Sequence, residues 1–243
     1  MRYFLETSYK GTNYHGWQIQ PDVSSIQEVI TKGISTILQK NIELVGAGRT
    51  DAGVHASQMF AHFDVDLVLD KDFSNKLNSV LSDDIVIINC FEVSENLHAR
   101  FDALYRSYEY RIFLGRNPFL LETTWQLHQQ TLDVDKMNLA AKLLFEYTDF
   151  ECFSKVKTDV KTFNCTIIKA KWMQEDNHLI FQITANRFLR NMVRAIVGTL
   201  IEVGLHKMSI EEFRAVIESK KRSNAGVSVP AKGLFLTEVK YNF

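Results

Sequence analysis

The stretch around which this chain is organised is Gly46-Ala47-Gly48-Arg49-Thr50-Asp51-Ala52-Gly53-Val54-His55-Ala56. Its three glycines let the backbone turn sharply and approach a ligand closely, and between them stand one cation, Arg49, and one carboxylate, Asp51. Composition alone leaves two interpretations open. The stretch is either a tight turn in which Asp51 hydrogen-bonds its own backbone, or a loop that presents a reactive carboxylate.

Length and composition set the outer limits. The chain has 243 residues, is 46% hydrophobic and contains three prolines, which suffices for one large domain or two small ones. No apolar run approaches the roughly 18 residues that cross a bilayer, and the first residues lack a signal-peptide pattern, so we expect a cytoplasmic protein. The cysteines, odd in number and widely spaced, argue against a disulfide framework and a zinc site; they are Cys90, Cys152 and Cys165.

The net charge of −1 taken alone speaks against a nucleic-acid partner, but the charge is unevenly distributed. Residues 1–100 hold 8 Lys and Arg against 13 Asp and Glu, and residues 101–243 hold 20 against 16. The basic residues of the second part also cluster, which predicts a phosphate-binding footprint or, for each cluster alone, a solvated face. The clusters are Lys155/Lys157/Lys161, Arg187/Arg190/Arg194 and Lys220/Lys221/Arg222.

Hydrophobic periodicity divides the first hundred residues into a β-α-β-β-α-β order. Aromatic and β-branched residues predict a first strand, and Ser25 with Glu28 predicts a capping box at the start of a helix. Alternation around Met59 predicts another strand after the Asp51 loop. The predicted strands span residues 2–9, 59–65 and 84–91, and the helices begin after Ser25 and span 72–81; the third element of that order has no segment of its own.

The second part is predicted to repeat that order, although no residue-level repeat is visible. The strands are predicted at 105–113, 166–172, 179–185 and 234–239, and the helices at 135–145, about 188–203 and 209–218. We therefore expect an α+β protein with two halves, residues 1–100 and 101–243, each an antiparallel sheet with helices on one face. Two such halves can join their sheets and leave a central active-site cleft.

The run Gly48-Arg49-Thr50-Asp51-Ala52-Gly53-Val54-His55-Ala56 resembles the signature of the TruA family of tRNA pseudouridine synthases. The spacing Tyr9-x-Gly11-Thr12-x-Tyr14-x-Gly16-Trp17-Gln18-x-Gln20 is similar to the family's opening motif. The resemblance implies two ferredoxin-like, RRM-like halves that share one mixed, mainly antiparallel sheet. It also implies that Asp51 is the catalytic carboxylate and that Arg49 fills the space left by an extruded base.

Two further motifs lie in the second half. In Arg106-Ser107-Tyr108-Glu109-Tyr110-Arg111 the two tyrosines share one strand face. This pattern fits either a pair of interior tyrosines or a stacking surface for single-stranded RNA. The family resemblance implies that Tyr108 is the residue that stacks on the target base. Helical spacing puts Arg194 at the edge of an apolar stripe with its stem buried. The resemblance pairs Arg194 with the catalytic aspartate, and an ordinary acid partner is the alternative.

The closing Val229-Pro230-Ala231-Lys232-Gly233-Leu234-Phe235-Leu236 resembles a family run whose leucine lines the uracil pocket. Leu234 is the matching residue, with a core strand leucine as the alternative. Leu97-His98-Ala99-Arg100-Phe101 also resembles a family segment. RNA contacts are expected at Arg100, Arg116, Lys157 and Lys161, although the match departs around residues 157–162, where many relatives carry more arginine.

The resemblance implies an isomerase that converts uridine to pseudouridine at positions 38, 39 and 40 of the tRNA anticodon stem-loop, as a homodimer. The reaction breaks the N-glycosidic bond, rotates the uracil and rejoins it through carbon, so neither a cofactor nor a metal is expected. Two other classes remain to be separated. Asp51-Ala52-Gly53 resembles the Asp-Thr/Ser-Gly motif of aspartic proteases. Those enzymes need two carboxylates that share a proton, and this sequence has no second Asp-x-Gly. A non-catalytic RNA-binding module would need the tyrosines and cations but not Asp51.

Overall fold

The protein is described by a computed structural model that covers residues 1–128, 130–156 and 160–243. The chain forms two compact units. The first contains Met1–Leu104 together with Phe235–Phe243, and the second contains Tyr105–Leu234. Both units combine helices with a mainly antiparallel sheet, so the predicted α+β class is confirmed. The ferredoxin-like detail of the two halves stays a prediction.

The strands of the described residues are β1 (Arg2–Tyr9), β2 (Val45–Gly46), β3 (His55–Asp64), β4 (Ile85–Val93), β5 (Tyr105–Leu114), β6 (Trp125–Leu127), β7 (Ile167–Glu175), β8 (His178–Ala185) and β9 (Leu234–Lys240). The α-helices are α1 (Ile26–Leu38), α2 (Phe73–Asn78), α3 (Val134–Lys142), α4 (Met192–Gly204) and α5 (Ile210–Ser219). In this part of the chain no helix is long and apolar enough to cross a membrane.

The sheet of the first unit has the strand order β4-β1-β3-β9. β1 pairs antiparallel with β3 and β4, while β9 pairs parallel with the first residues of β3. β2 pairs antiparallel with the far end of β3, opposite Ala61 and His62. β3 therefore has two different partners along one edge, which allows the chain to leave the sheet and return to it around the Asp51 loop.

Both faces of this sheet carry aromatic residues, because Tyr3 lies opposite Phe63 on one face and Phe4 lies opposite His62 on the other. Phe63 packs against Phe73 of α2, with ring centroids 6.3 Å apart, which buries the first face beneath a helix. On the second face the C-terminal aromatics cover Phe4 edge to face; they are Tyr241 at 5.3 Å and Phe243 at 5.9 Å.

The first helix begins where the sequence predicts. The Ser25 hydroxyl accepts a hydrogen bond from the Glu28 N–H at 3.4 Å, which satisfies one of the amides left open at a helix start. The Glu28 carboxylate accepts from Lys32 Nζ at 2.6 Å, one helical turn further on, and a hydrogen bond from the Ser25 backbone also helps to lower its pKa, in agreement with the predicted capping box. A complete capping box forms at α5, between Ser209 and Glu212.

The sheet of the second unit has the order β6-β5-β8-β7, with β6 parallel to β5 and the other neighbours antiparallel. Tyr110 lies opposite Phe181, and Phe181 opposite Trp172, so these rings form a buried row across three strands. The side chain of Asn138 in α3 bonds both the N–H and the carbonyl of Trp172, which fixes this helix to β7.

The predicted start of the long helix near Phe188 was wrong by about one turn. α4 begins at Met192, because Asn191 has a φ of 67°, in the left-handed region that ends regular right-handed helix. Leu189 was expected in the apolar stripe and is indeed buried, but it lies before the helix. Hydrophobic spacing contains no information about a single backbone angle, so it could not predict this helix start.

Candidate functional site

The Asp51 loop connects β2 to β3 and is held by its own backbone. The Ala47 N–H donates to the Phe60 carbonyl at 2.7 Å, and the Val54 N–H donates to the Asp51 carbonyl at 3.2 Å. Gly53, between Asp51 and Val54, has a φ of 77°, which favours glycine. The turn leaves the Asp51 side chain half-buried. The stretch is therefore a tight turn, and the reactive role of the Asp51 carboxylate stays a prediction.

The opening motif packs directly on this loop. The Gly53 N–H donates to the Tyr14 carbonyl at 3.2 Å, and the Trp17 N–H donates to the Thr50 carbonyl at 3.3 Å. The Tyr9 and Thr50 hydroxyls lie 2.9 Å apart. The two stretches that carry the family resemblance thus form one clamp around Asp51.

Two glycines of the opening motif permit this close approach. A Cβ at Gly11 would lie 2.0 Å from the Val54 carbonyl oxygen, and one at Gly16 would lie 2.2 Å from the Thr50 carbonyl oxygen. Gly16 also has a φ of 84°. Because backbone atoms cannot move aside as a flexible side chain can, any larger residue at either position would push the two loops apart.

His55 belongs to the signature, and in the folded chain its ring has a structural role. The ring is buried, its Nδ1 accepts a hydrogen bond from the Gly11 N–H at 3.1 Å, and it stacks on Phe235 with centroids 4.5 Å apart. An accepting Nδ1 places the proton of a neutral ring on Nε2. His55 therefore links the Asp51 loop, the opening motif and β9. Its place directly after Gly-Val in the signature was the signal that could have found it.

In the second unit the two tyrosines of β5 share one strand face, as predicted, but they differ in burial. Tyr110 is completely buried and its hydroxyl donates to the Pro230 carbonyl at 2.8 Å. Tyr108 is half-buried, and its ring meets Phe188 edge to face at 5.1 Å. The interior interpretation therefore applies to Tyr110, while Tyr108 keeps part of its ring accessible.

Arg194 lies on α4 and is half-buried, which agrees with its place at the edge of the apolar stripe. Its Nε donates to the Val229 carbonyl at 2.8 Å, and the Val229 N–H donates back to the Arg194 carbonyl at 3.2 Å. Burial raises the pKa of Tyr110 far above its usual range, and the positive charge of Arg194 partly opposes this. The guanidinium is thus fixed beside Tyr110 and the chain around Pro230.

The segment from Ala225 to Leu234 is tied to α4 through its first residues. The Gly226 N–H donates to Thr199 Oγ1 at 2.9 Å, and a Cβ at Gly198 would lie 1.8 Å from the Val227 carbonyl oxygen. Arg222 shapes the first part of this segment with bonds to the carbonyls of Ala225 and Gly226 and to the Ser228 hydroxyl. At the end of this segment Leu234 is buried at the start of β9. Arg222 was grouped with surface cations by the sequence, and its positioning role was missed.

The cations expected to contact RNA lie at the surface where they are described; they are Arg100, Arg116 and Lys161, and Arg49, expected to fill the space of the extruded base, is exposed as well. Lys157 lies outside the described residues. The cluster at 220–222 offers less positive charge than its sequence suggests, because Lys220 forms an ion pair with Asp149 at 2.7 Å and Arg222 turns toward backbone carbonyls.

Comparisons with known proteins agree with these motifs. The family model for tRNA pseudouridine synthase matches residues 140–242. Relatives that carry the name tRNA pseudouridine synthase A include proteins of Bacteroides fragilis, 52% identical over 99% of this chain and 96% of the relative, and Acetivibrio thermocellus, 40% identical over 98% of each. The same name belongs to a Bacteroides thetaiotaomicron protein, 51% identical over 99% of this chain and 90% of the relative. These likenesses define the class as tRNA pseudouridine synthases. Within it, the chain belongs to the tRNA pseudouridine synthase A family.

Proposed function

We propose that this protein isomerises uridine to pseudouridine in tRNA, at positions 38, 39 and 40 of the anticodon stem-loop. The name of the relatives supports the reaction and the substrate. The observation that carries the proposal is the clamp around Asp51, in which the opening motif bonds the backbone on both sides of the carboxylate. The bond between C1′ and N1 of uridine breaks and a bond between C1′ and C5 forms, so a proton leaves C5 and another is gained at N1.

Asp51 is the reacting carboxylate of this proposal. Attack on the ribose, attack on the base and removal of a sugar proton all require the side chain to be ionised. Partial burial disfavours a carboxylate, whereas a guanidinium close to it favours one. We therefore assign Arg194 to Asp51 as its ion-pair partner, because the Nε bond to Val229 already fixes the plane of the guanidinium.

The remaining residues hold the tRNA. Tyr108 stacks on the extruded base with the accessible part of its ring, Arg49 occupies the space that the base leaves, and Leu234 lines the uracil pocket. Phosphates are contacted by the surface cations, which are Arg100, Arg116, Lys157 and Lys161. Neither a metal nor a cofactor has a role in this scheme, since nothing is oxidised and no group is transferred between molecules.

The architecture that goes with this proposal is two ferredoxin-like halves, residues 1–100 and 101–243, that join their sheets and enclose a central cleft. The enzyme acts as a homodimer in the cytoplasm. The family resemblance supports all of these features. The ferredoxin-like form of the first half is also supported by the β-α-β-β-α-β element order of the first unit, in which β2 is the third element.

The proposal is tested by release of tritium from tRNA labelled at C5 of uridine, measured in single turnovers. Asp51→Asn keeps the shape of the side chain but removes its charge, so turnover should fall roughly a thousandfold or more while tRNA binding survives. Arg194→Ala should also reduce turnover, and the double variant should lose little beyond Asp51→Asn, since the arginine acts through the carboxylate. Asp83→Asn, a change of an exposed carboxylate in the same unit, is the matched control.

Each possible result of these measurements rejects or favours one hypothesis. No release by the wild type would reject the isomerase, and full release by Asp51→Asn would leave at most an RNA-binding role for the loop. Normal turnover by Arg194→Ala would reject the ion pair alone. Cleavage of peptides by the wild type, lost in Asp51→Asn, would favour the aspartate hydrolase.

A further inference from the structure

A tight turn at residues 97–102 carries an exposed aromatic ring. Four hydrogen bonds shape this turn. His98 N–H donates to the Asp102 carboxylate at 2.6 Å, Asp102 N–H donates to the His98 carbonyl at 3.1 Å, and the N–H groups of Arg100 and Phe101 donate to His98 Nδ1 at 3.1 and 3.4 Å. The backbone on both sides of Phe101 is therefore ordered before any ligand arrives.

The same turn is anchored to the sheet of the first unit. Ala99 is completely buried; its N–H donates to His62 Nδ1 at 3.2 Å and its carbonyl accepts from the Tyr241 hydroxyl. On the N-terminal side, Arg2 donates to the Leu97 carbonyl at 2.9 Å. These contacts hold the turn to β1, β3 and the C-terminal residues, so its position is as fixed as that of the sheet.

Phe101 projects from this anchored turn and is 73% exposed. Its ring packs against the His98 ring in a tilted arrangement, with centroids 4.3 Å apart and an interplanar angle of 34°. The Arg100 guanidinium lies 5.7 Å from the ring centroid, at the outer limit of a cation–π contact. One ring face is thus supported, a cation stands beside it, and most of the ring remains accessible.

Phe243 provides a useful contrast, because it is almost equally exposed at 70%. Its ring contacts Phe4, Phe91 and Tyr241 at 5.9, 5.6 and 5.3 Å, so it has a packing role on the second face of the sheet. Packing of this kind does not account for Phe101. What distinguishes Phe101 is its setting: an anchored turn holds the ring, His98 supports it, and a cation stands beside its accessible π-face, which is the arrangement that binds a base.

We propose that Phe101, supported by His98 and flanked by Arg100, is a stacking site for an unpaired base of the tRNA, separate from the base that reacts. The proposal rests on the proposed function for the presence of tRNA. A base offers a flat π-face to the ring, and the adjoining phosphate offers a charge to Arg100. An apolar protein surface would cover the ring equally well but would also desolvate the exposed, charged Arg100 side chain, which is costly. The occupant that fits both groups is single-stranded RNA.

Three variants test this site by equilibrium tRNA binding. Phe101→Leu keeps apolar volume but removes the π-face, so it should weaken binding about tenfold. Phe101→Trp keeps a stacking face and should bind within about threefold of the wild type. Phe145→Leu removes a half-exposed phenyl ring from the turn that follows α3 and should leave binding unchanged. Thermal unfolding should give similar midpoints for all three variants, because neither ring is in the core.

Photo-crosslinking locates the contact directly. tRNA carrying 5-iodouridine at unpaired positions should crosslink the wild type at Phe101, as read by mass spectrometry of the peptide. Wild-type affinity in Phe101→Leu would overturn the proposal, and so would a crosslink confined to other peptides. A change in oligomeric mass with unchanged affinity would assign the ring to a protein interface instead. Absence of tritium release by the wild type would concern the proposed function and not this site.

Discussion

Tyr108 and Tyr110 lie two residues apart on one face of β5, and their surroundings give them different roles. The Tyr110 hydroxyl bonds the Pro230 carbonyl, and its ring is completely buried. Tyr108 contacts Phe188 with its edge and keeps part of its ring accessible. Only Tyr108 has the exposure that stacking on a base requires.

Substitutions at Tyr108 and Tyr110 should separate these roles. Tyr108→Phe should bind and turn over tRNA nearly normally, because stacking needs only the ring face and is worth ~1–3 kcal/mol per base. Tyr108→Leu should lose turnover while the protein stays folded. Tyr110→Leu should instead lower the free energy of unfolding by about 2–4 kcal/mol, since it leaves a cavity and an unpaired carbonyl. Tritium release and urea unfolding measure the two effects; full turnover by Tyr108→Leu would make this tyrosine merely structural.

At this scale the sequence identifies some site residues and not others. Asp51 was singled out by the resemblance of its run to the family signature, since composition alone left a tight turn equally open, and its catalytic role stays a prediction. The difference between Tyr108 and Tyr110 was not predictable, because it depends on a carbonyl 120 residues further along the chain. Arg222 was also misjudged: beside Lys221 it has the pattern of a surface cation, whereas its guanidinium bonds the carbonyls of Ala225 and Gly226.

At the scale of elements, the two loops that meet at Asp51 act as one unit. Their contacts are mostly between backbone atoms, so they depend on the absence of side chains at the crossing points. Gly16 and Gly48 differ sharply in this respect. A Cβ at Gly16 would strike the Thr50 carbonyl, whereas a Cβ at Gly48 would meet no atom within 4 Å.

Alanine at Gly16 and alanine at Gly48 should therefore have different effects. Gly16→Ala should lower the unfolding midpoint and reduce turnover at least tenfold, because a positive φ and a 2.2 Å approach both oppose it and displace Asp51. Gly48→Ala should keep the wild-type midpoint. Differential scanning calorimetry and single-turnover rates provide the measurements. A Gly16→Ala protein with normal stability and turnover would show that the clamp does not position the carboxylate.

Elements themselves were predictable to different degrees. The strand Arg2–Tyr9 was predicted with its exact bounds, because its residues suit a strand buried on both faces. β2 and β6, with two and three residues, are too short to show any period and were missed. The pairing of β9 with β3 joins residues about 180 positions apart, and hydrophobic alternation contains no information about such partners.

At the scale of the whole molecule, one buried histidine couples folding to pH. His62 is buried and accepts a hydrogen bond from the Ala99 N–H, so its neutral form is favoured. Burial lowers the pKa of His62 to about 4, assisted by the positive charges of Arg2 and His98 and opposed by Asp64. In the unfolded chain the ring regains an ordinary pKa of about 6.5.

This difference predicts that the free energy of unfolding falls as the pH falls from about 6.5 to about 4, because the unfolded state binds a proton first in that window. Above pH 6.5 His62 should contribute no slope, and the total loss should be on the order of 3 kcal/mol. His62→Gln, whose amide oxygen can still accept the Ala99 bond, should flatten this part of the profile. His15→Gln, at an exposed position, should not. An unchanged slope in His62→Gln, measured by urea unfolding, would contradict the assignment.

The distribution of charge over the whole chain governs how it meets tRNA. Its first hundred residues carry an excess of five negative charges and the remainder an excess of four positive charges, so the net charge of −1 conceals a basic part. If the four proposed phosphate contacts form, each releases counterions, and affinity should fall roughly 50- to 150-fold as salt rises from about 50 to about 200 mM. Lys161→Ala should reduce the slope of log Kd against log salt by about 0.7–0.9, while Lys142→Ala, an exposed lysine at the end of α3, should not change it. A salt-independent affinity would mean that stacking and base contacts, not phosphates, supply the binding energy.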